Sequence, residues 1–294
     1  MVLLRYFIPI AILALSHSVI ANEWVHGFNK QFENWDNPGG NIARIHHVPS
    51  DELLGYGQVP VLPARPLQPR IVFDGEDNRK DLDSDEYPYN LIRKISLDKV
   101  FCSGTAVGPR HFLTARHCLP DDPVPIKMES NNGQYPVSYA TDIVIVKFRP
   151  TTDHPSPLDP TAMLCYMVED FAVLVFDKPI FESDGYFGAK LYDEKDTFKP
   201  IYNHAGFNSI TGTVKGMHQD NVRVTTYARC GRSLQLGADA DVDGGQSGGP
   251  LYKMDNGYAM QIGTLSTQDQ RLGGMFCSGV NLVGCVAYAR DMFP

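Results

Sequence analysis

The sequence predicts an all-β protein made of two six-stranded antiparallel β-barrels. The chain has 294 residues, of which 43% are hydrophobic and 20% charged, enough apolar side chains for a full core. From residue 71 onward, short apolar runs alternate with Gly, Pro, Asn and Asp, which is typical of strands and turns. No long apolar pattern with a 3.6-residue period competes with them. About 224 residues of many short strands favour paired barrels.

The first 21 residues have the features of a secretory signal peptide. Arg5 precedes the apolar run Tyr6 to Leu15, which is too short to cross a bilayer, and small residues precede Asn22. We expect cleavage before Asn22; the alternative is a buried amino-terminal helix. The mature protein is then secreted and extracellular, with no membrane attachment once the signal is removed.

Residues 22–70 differ in composition from the rest and predict a pro-segment or linker. They contain both tryptophans of the chain, and five prolines lie between Val48 and Arg70. An exposed Arg in such a segment invites proteolysis, so the Arg70-Ile71 bond is the predicted processing site. An unprocessed linker is the alternative.

The strands predicted after this segment divide into a first barrel at residues 71–185 and a second barrel at residues 186–294. We see no internal repeat. The predicted strands are Val100 to Val107, His111 to Ala115, Asp142 to Phe148, Phe171 to Phe176, Ile201 to Ala205, Asn221 to Tyr227, Leu251 to Tyr252 and Tyr258 to Thr267.

Six cysteines in an oxidising compartment can form three disulfides. None of them has the paired C-x-x-C spacing of a zinc site. Short separations make Cys102 with Cys118 and Cys277 with Cys285 suitable local bridges, and Cys165 with Cys230 remain by elimination.

The net charge of -8 argues against a nucleic-acid partner, and the longest basic clusters are isolated pairs such as Arg79-Lys80 and Arg93-Lys94. An acidic surface fits a cationic peptide better.

Three short segments carry residues suited to chemistry. His117 follows a predicted strand in TARHC, and Asp170 leads directly into the apolar strand FAVLV, where a buried carboxylate needs a donor such as an imidazole N–H. Ser247 lies in the turn GGQSGGP, whose backbone N–H groups can converge on an anion beside the hydroxyl.

In the order His, Asp, Ser, these segments resemble the chymotrypsin/trypsin-fold serine proteases, and the resemblance covers Ile71 to Pro294. It implies chymotrypsin-like barrels with the active site between them. By this resemblance Ser247 is the nucleophile, His117 the general base and acid, and Asp170 the acid that orients the imidazole. The N–H groups of Gly245 and Ser247 would form the oxyanion hole, and Cys102 would pair with Cys118.

Asp142 also precedes an apolar strand and is the rival for the orienting acid. We favour Asp170, because it lies 53 residues from His117 and the family places a strand pair in between. Gln246 stands where trypsins carry the aspartate that binds the freed amino terminus, as in bacterial-type relatives that include the glutamyl endopeptidases. The chain also stops soon after Tyr288, so we expect no terminal helix or only a stub. Arg116 beside the histidine has no explanation from the sequence.

Substrate preference depends on the segment from Asp239 to Gly244. Asp241 lies six residues before Ser247, where trypsin-like relatives carry the acid that attracts Lys or Arg. Ser266 and Thr267 resemble the substrate-pairing strand. Leu265 replaces the histidine of the glutamyl subgroup, so basic preference is favoured over acidic. The run DADVDG also resembles the start of a calcium loop, but its twelfth position is Pro250, so no metal is predicted.

Together these observations predict a monomeric secreted serine endopeptidase that acts on proteins or peptides, without a cofactor, and cleaves after Arg or Lys. The alternatives are a glutamyl-specific endopeptidase and a proteolytically inactive binding protein with the same fold.

Overall fold

The computed structural model describes residues 42–56, 79–83, 85–97, 100–120, 122–128, 135, 137–147, 165, 167–210, 213–269 and 272–294. The predicted signal peptide and the Arg70-Ile71 processing site lie outside these residues. Within the described part of the chain, no helix is long and apolar enough to span a membrane.

The first sheet has seven strands, and its order is β1-β7-β8-β5-β4-β3, with β6 paired to β7. The central strands β5 and β8 are buried along their whole length, as expected for apolar runs with sheet neighbours on both sides. All pairs are antiparallel except β1 with β7, which are parallel. The strands are β1 (Arg44–Val48), β3 (Ile92–Leu97), β4 (Val100–Gly108), β5 (His111–Thr114), β6 (Lys127–Met128), β7 (Ser138–Val146) and β8 (Ala172–Phe176).

The second sheet has nine strands, ordered β12-β13-β16-β15-β14-β10-β11-β2, with β9 paired to β15. Its core side contains Tyr202, Leu236, Leu251, Ile262 and Phe276. The strands are β2 (Lys80–Asp81), β9 (Gly188–Ala189), β10 (Tyr202–Ile210), β11 (Thr213–Val222), β12 (Val224–Cys230), β13 (Ser233–Ala238), β14 (Pro250–Asp255), β15 (Tyr258–Asp269) and β16 (Gly273–Gly279).

This architecture confirms the predicted all-β class with two antiparallel β units. The sheets contain seven and nine strands rather than six each, because two-residue strands such as β2 and β9 and the amino-terminal β1 add to the main set. Apart from β2, the second sheet is built entirely from residues after Phe187, and the first entirely from residues before Asp177.

The expectation of no terminal helix, or only a stub, is wrong. Helix α1 (Val280–Met292) has 13 residues and begins directly after β16. Leu282, Val283, Val286 and Ala289 are buried against the first sheet, so the helix connects the second sheet to the core of the first. Seven of its residues are buried, which leaves little amphipathic pattern for the sequence to reveal.

Two of the three predicted disulfides are present, Cys102 with Cys118 and Cys165 with Cys230. The predicted bridge between Cys277 and Cys285 is wrong, since both are free buried thiols. Helix formation is the physical reason. Cys277 lies in β16 and donates to the Met167 carbonyl at 2.8 Å, whereas α1 turns the Cys285 thiol toward the Val144 carbonyl of the first sheet, 3.6 Å away.

Candidate active site

His117 is held by a short 3-10 turn, Arg116–Cys118, that follows the end of β5. The disulfide between Cys102 and Cys118 ties this turn to β4, with a Cα separation of 6.1 Å. The His117 side chain is about a quarter exposed, at 24% of its accessible area. The histidine is therefore fixed at its backbone while part of its ring is exposed to solvent.

Asp170 lies just before β8 and is completely buried. One of its oxygens accepts the backbone N–H of His117 at 2.8 Å, and the other lies 2.6 Å from His117 Nδ1. That second oxygen also accepts the Ser266 hydroxyl at 2.6 Å. Three donors thus surround a carboxylate without access to water, which sets both the orientation of the imidazole and its Nδ1–H tautomer.

These contacts shift the pKa of both partners. Burial acts to raise the pKa of Asp170, but the His117 charge and the hydrogen bonds outweigh it, so the pKa is lowered. Burial acts to lower the pKa of His117, and the Asp170 carboxylate outweighs it, so the pKa is raised above 6.5. The imidazole is a stronger base than a free histidine, as an acceptor for a hydroxyl proton requires.

The turn that carries Ser247 packs directly against β4 and the end of β5, next to the turn that holds His117. The Ser247 carbonyl accepts the N–H of Ser103 at 2.8 Å and lies 3.9 Å from the Cys118 sulfur. A Cβ at Gly248 would lie 2.4 Å from the Thr114 hydroxyl and 2.8 Å from the Ala115 nitrogen, so only glycine allows this approach. The serine and the histidine turn are therefore close neighbours.

The backbone conformation of the turn also depends on glycine. Gly245 has a φ of 98° and Gly248 a φ of 84°, both in the left-handed region. A Cβ at Gly245 would lie 2.3 Å from the Phe101 ring. This conformation supports the predicted position of the Gly245 and Ser247 amides at the site where an oxyanion would form.

Gln246 stabilises the same turn from inside. Its side chain is buried, and its Oε1 accepts the N–H of Asp243 at 2.7 Å. Its backbone N–H donates to the Asp243 carbonyl at 3.1 Å, and its carbonyl accepts the N–H of Gly249 at 2.8 Å. Arg79 in turn donates to the Asp243 carboxylate at 2.7 Å. The neutral Gln246 amide and the Arg79 guanidinium thus fix the loop that precedes Ser247.

Asp142, the rival acid, is engaged elsewhere. Its carboxylate lies 2.9 Å from Arg44 and 2.7 Å from His46, both in β1. The structure thus places Asp170 beside His117 and Asp142 against the amino-terminal strand.

The three predicted substrate-binding residues differ in burial and in their hydrogen-bond partners. Asp241 is exposed, and its backbone N–H donates to the Gln219 side chain at 2.7 Å. Ser266 is buried and directs its hydroxyl to Asp170, while Thr267 is exposed at the same end of β15. Leu265 is buried in the core of the second sheet with Phe276.

The two flanking acids of the calcium-like run are paired with cations. Asp239 accepts from the backbone and side chain of Arg223, and Asp243 pairs with Arg79.

Sequence reasoning noted Arg116 without an explanation and missed Glu169, with which Arg116 interacts electrostatically. Arg116 is only 2% exposed, and Glu169 is half-buried. Burial lowers the pKa of Arg116 to about 10, opposed by Asp170 and Glu169, so the guanidinium stays charged at neutral pH. Burial raises the pKa of Glu169, opposed by hydrogen bonds from Asn281 and Ser233. The available signal in the sequence was that Arg116 directly precedes His117 and Glu169 directly precedes Asp170.

Two antiparallel β units, a buried His–Asp pair and a serine-bearing glycine turn packed beside it are typical of the chymotrypsin-fold serine proteases. Comparison with known proteins agrees. Residues 78–283 match the family model described as Trypsin, and the chain belongs to that family.

Two similar proteins are glutamyl endopeptidases. The one from Bacillus licheniformis is 23% identical over 206 residues, which are 65% of this chain and 57% of the relative, so the chain spans little more than half of its length. A solved structure, described as Glu endopeptidase in complex with MPD, aligns with a TM-score of 0.52 and 19% identity. That alignment covers 75% of this chain and 100% of the other, and it supports the fold.

Proposed function

We propose that this protein is a secreted serine endopeptidase that hydrolyses peptide bonds of protein or peptide substrates through an acyl-enzyme. The observation that carries the proposal is the buried Asp170 carboxylate, bonded to both the backbone and the imidazole of His117, beside the turn of Ser247. A structural histidine has no need of this arrangement, whereas a general base does.

In the proposed reaction, Ser247 Oγ attacks the substrate carbonyl carbon while its proton passes to His117 Nε2. The carbonyl oxygen becomes an oxyanion held by the N–H groups of Gly245 and Ser247. His117 then gives the proton to the leaving nitrogen, and the C–N bond breaks. Water hydrolyses the acyl-enzyme by the same route, with His117 again as base. Asp170 stabilises the imidazolium throughout.

Ser247→Ala tests this proposal. Because nucleophile and base act as a unit, turnover of a peptide panel should fall by about a millionfold, and labelling by a fluorophosphonate should vanish. Asp142→Asn is the matched acid control and should leave most of the activity. Wild-type protein that neither cleaves peptides nor takes the label, once processed, would support the alternative of an inactive binding protein instead.

For the residue before the cleaved bond, we propose a preference for Arg or Lys that depends on Asp241. The Asp241 side chain is exposed, so an ion pair with a substrate cation would remain hydrated and contribute about 1 kcal/mol or less. Asp241→Ser should then reduce the preference by up to about fivefold, rather than abolish it.

Preference for Glu is the second candidate, favoured by the glutamyl endopeptidase among the relatives. Mass spectrometry of a digested peptide mixture separates the two. Cleavage after Glu that is unchanged by Asp241→Ser would replace the basic preference and leave the endopeptidase proposal intact.

A further inference from the structure

Residues 42–56, here called the leader strand segment, form part of the first sheet although they lie within the predicted pro-segment. Strand β1 pairs in parallel with β7 from Arg44 opposite Asp142 to Val48 opposite Val146. Beyond the strand, the N–H of Lys147 donates to the Val48 carbonyl at 2.8 Å. The pairing therefore runs along five consecutive residues of each strand.

Apolar side chains of the leader strand segment reach the main core. Ala43 and Leu53 are fully buried, and Val48 is 2% exposed. Leu53 lies against helix α1 at Gly284, where an added Cβ would be 2.7 Å from the Leu53 carbonyl oxygen and 2.8 Å from its Cβ. Because Gly284 has no side chain, Leu53 can pack closely against the helix backbone at this position.

Polar contacts fix the segment at two further points. Arg44 and His46 both contact the buried Asp142 carboxylate. The Ser50 hydroxyl donates to Asn281 Oδ1 at 2.7 Å, and Asn281 Nδ2 donates to Glu169 at 2.8 Å. Loss of the segment would leave Asp142 without its contacts to Arg44 and His46, and Asn281 without its Ser50 donor, each an unfavourable result for a buried polar group.

We infer that residues 42–56 are a permanent strand of this enzyme, which stays bound by noncovalent contacts after the chain is cut between residues 57 and 78. The surface that holds it consists of β7, Asp142 and the Gly284 side of α1. Its occupant is this segment of the same chain. The inference does not depend on catalysis or on substrate preference.

The test uses the chain from Asn22 to Pro294 with the substitution Ser247→Ala, so that self-digestion cannot interfere. A recognition sequence for a site-specific protease is inserted between Pro60 and Val61, and an affinity tag is placed at the carboxyl end. After cleavage, the protein is captured by the tag and washed in native buffer. Mass spectrometry then measures how much amino-terminal fragment remains per tagged chain.

We expect the fragment to remain in a one-to-one ratio in native buffer and to leave in denaturant. Leu53→Asp should release it, because the substitution buries a charge, whereas Leu54→Asp should retain it, because Leu54 is 53% exposed. Amide hydrogen exchange of the cleaved Ser247→Ala protein with Leu53 intact provides a second measurement, with slow exchange expected for the amides within Arg44–Val48 that face β7. A fragment that washes away from the protein with Leu53 intact, or fast exchange of these amides, would overturn the inference whatever the variants do.

Discussion

Replacement of Gly284 by Ala should destabilise this protein, although alanine is the better helix former. Gly284 lies inside α1, where alanine alone would add about 1 kcal/mol to the free energy of unfolding. Its methyl group would lie 2.7 Å from the Leu53 carbonyl oxygen, whereas ordinary contact begins at 3.4 Å, so Leu53 must move by about 0.7 Å. Overpacking of this kind costs about 1 to 3 kcal/mol, which leaves a net loss of about 1 kcal/mol.

Urea unfolding of the uncleaved chain, followed by tyrosine fluorescence or circular dichroism, measures this difference. Gly55→Ala is the matched control, since a Cβ added there would have no atom within 4 Å, and its effect should stay within about 0.5 kcal/mol. A Gly284→Ala protein that is more stable than the wild type by the full helix propensity would refute the contact between Leu53 and α1.

Three further outcomes are expected. In a pH profile, the acid limb of kcat/KM should have its midpoint above pH 6.5, because activity needs neutral His117 and the pKa of His117 is raised. Asp170→Asn removes the charge that raises this pKa, so it should move the acid limb to lower pH. Arg79→Ala should lower kcat by about threefold to tenfold through a looser nucleophile turn, and Arg79→Lys should restore part of it in steady-state assays. Thiol titration should find no reactive thiol in native protein and two, Cys277 and Cys285, in denaturant.

The same His117–Asp170 contact makes folding stability depend on pH. The raised pKa of His117 contributes stability that is present below its unfolded pKa and is lost as the pH rises through its folded pKa. The lowered pKa of Asp170 contributes stability that is present above its unfolded pKa and is lost as the pH falls. Between these two ranges, both groups support the folded state.

The strands could be predicted from the sequence because their signals are local, whereas the histidine–aspartate pair was predicted from the family resemblance. Short apolar runs between turn residues identify strands such as β5 and β8 directly. The choice of Asp170 over Asp142 came from the family resemblance, which places a strand pair between the histidine and the acid. The glycines around Ser247 are explained by the left-handed conformation of the turn, which is a local property.

The features that were missed depend on distant contacts. Helix α1 is buried on most sides, so its sequence lacks the one-sided pattern by which a surface helix is recognised. Strand β1 reads as part of a Pro-rich segment, and its partner β7 lies 98 residues further along the chain at the Arg44 and Asp142 pair. Ser266 was assigned to substrate binding because nothing local shows that its hydroxyl reaches Asp170.

The Gln246 amide gives the nucleophile turn a different response to alkaline conditions from a turn held by a terminal amine. A free α-amino group has a pKa near 7.7 to 8.0, so a turn that relies on its charge loosens as the solution becomes basic. A glutamine amide carries no proton that titrates in water, so the hydrogen bond from the Asp243 N–H to the Gln246 side chain does not depend on the charge of an amine. We therefore expect this part of the Ser247 turn to keep its shape in basic solution, where a turn held by a terminal amine would loosen.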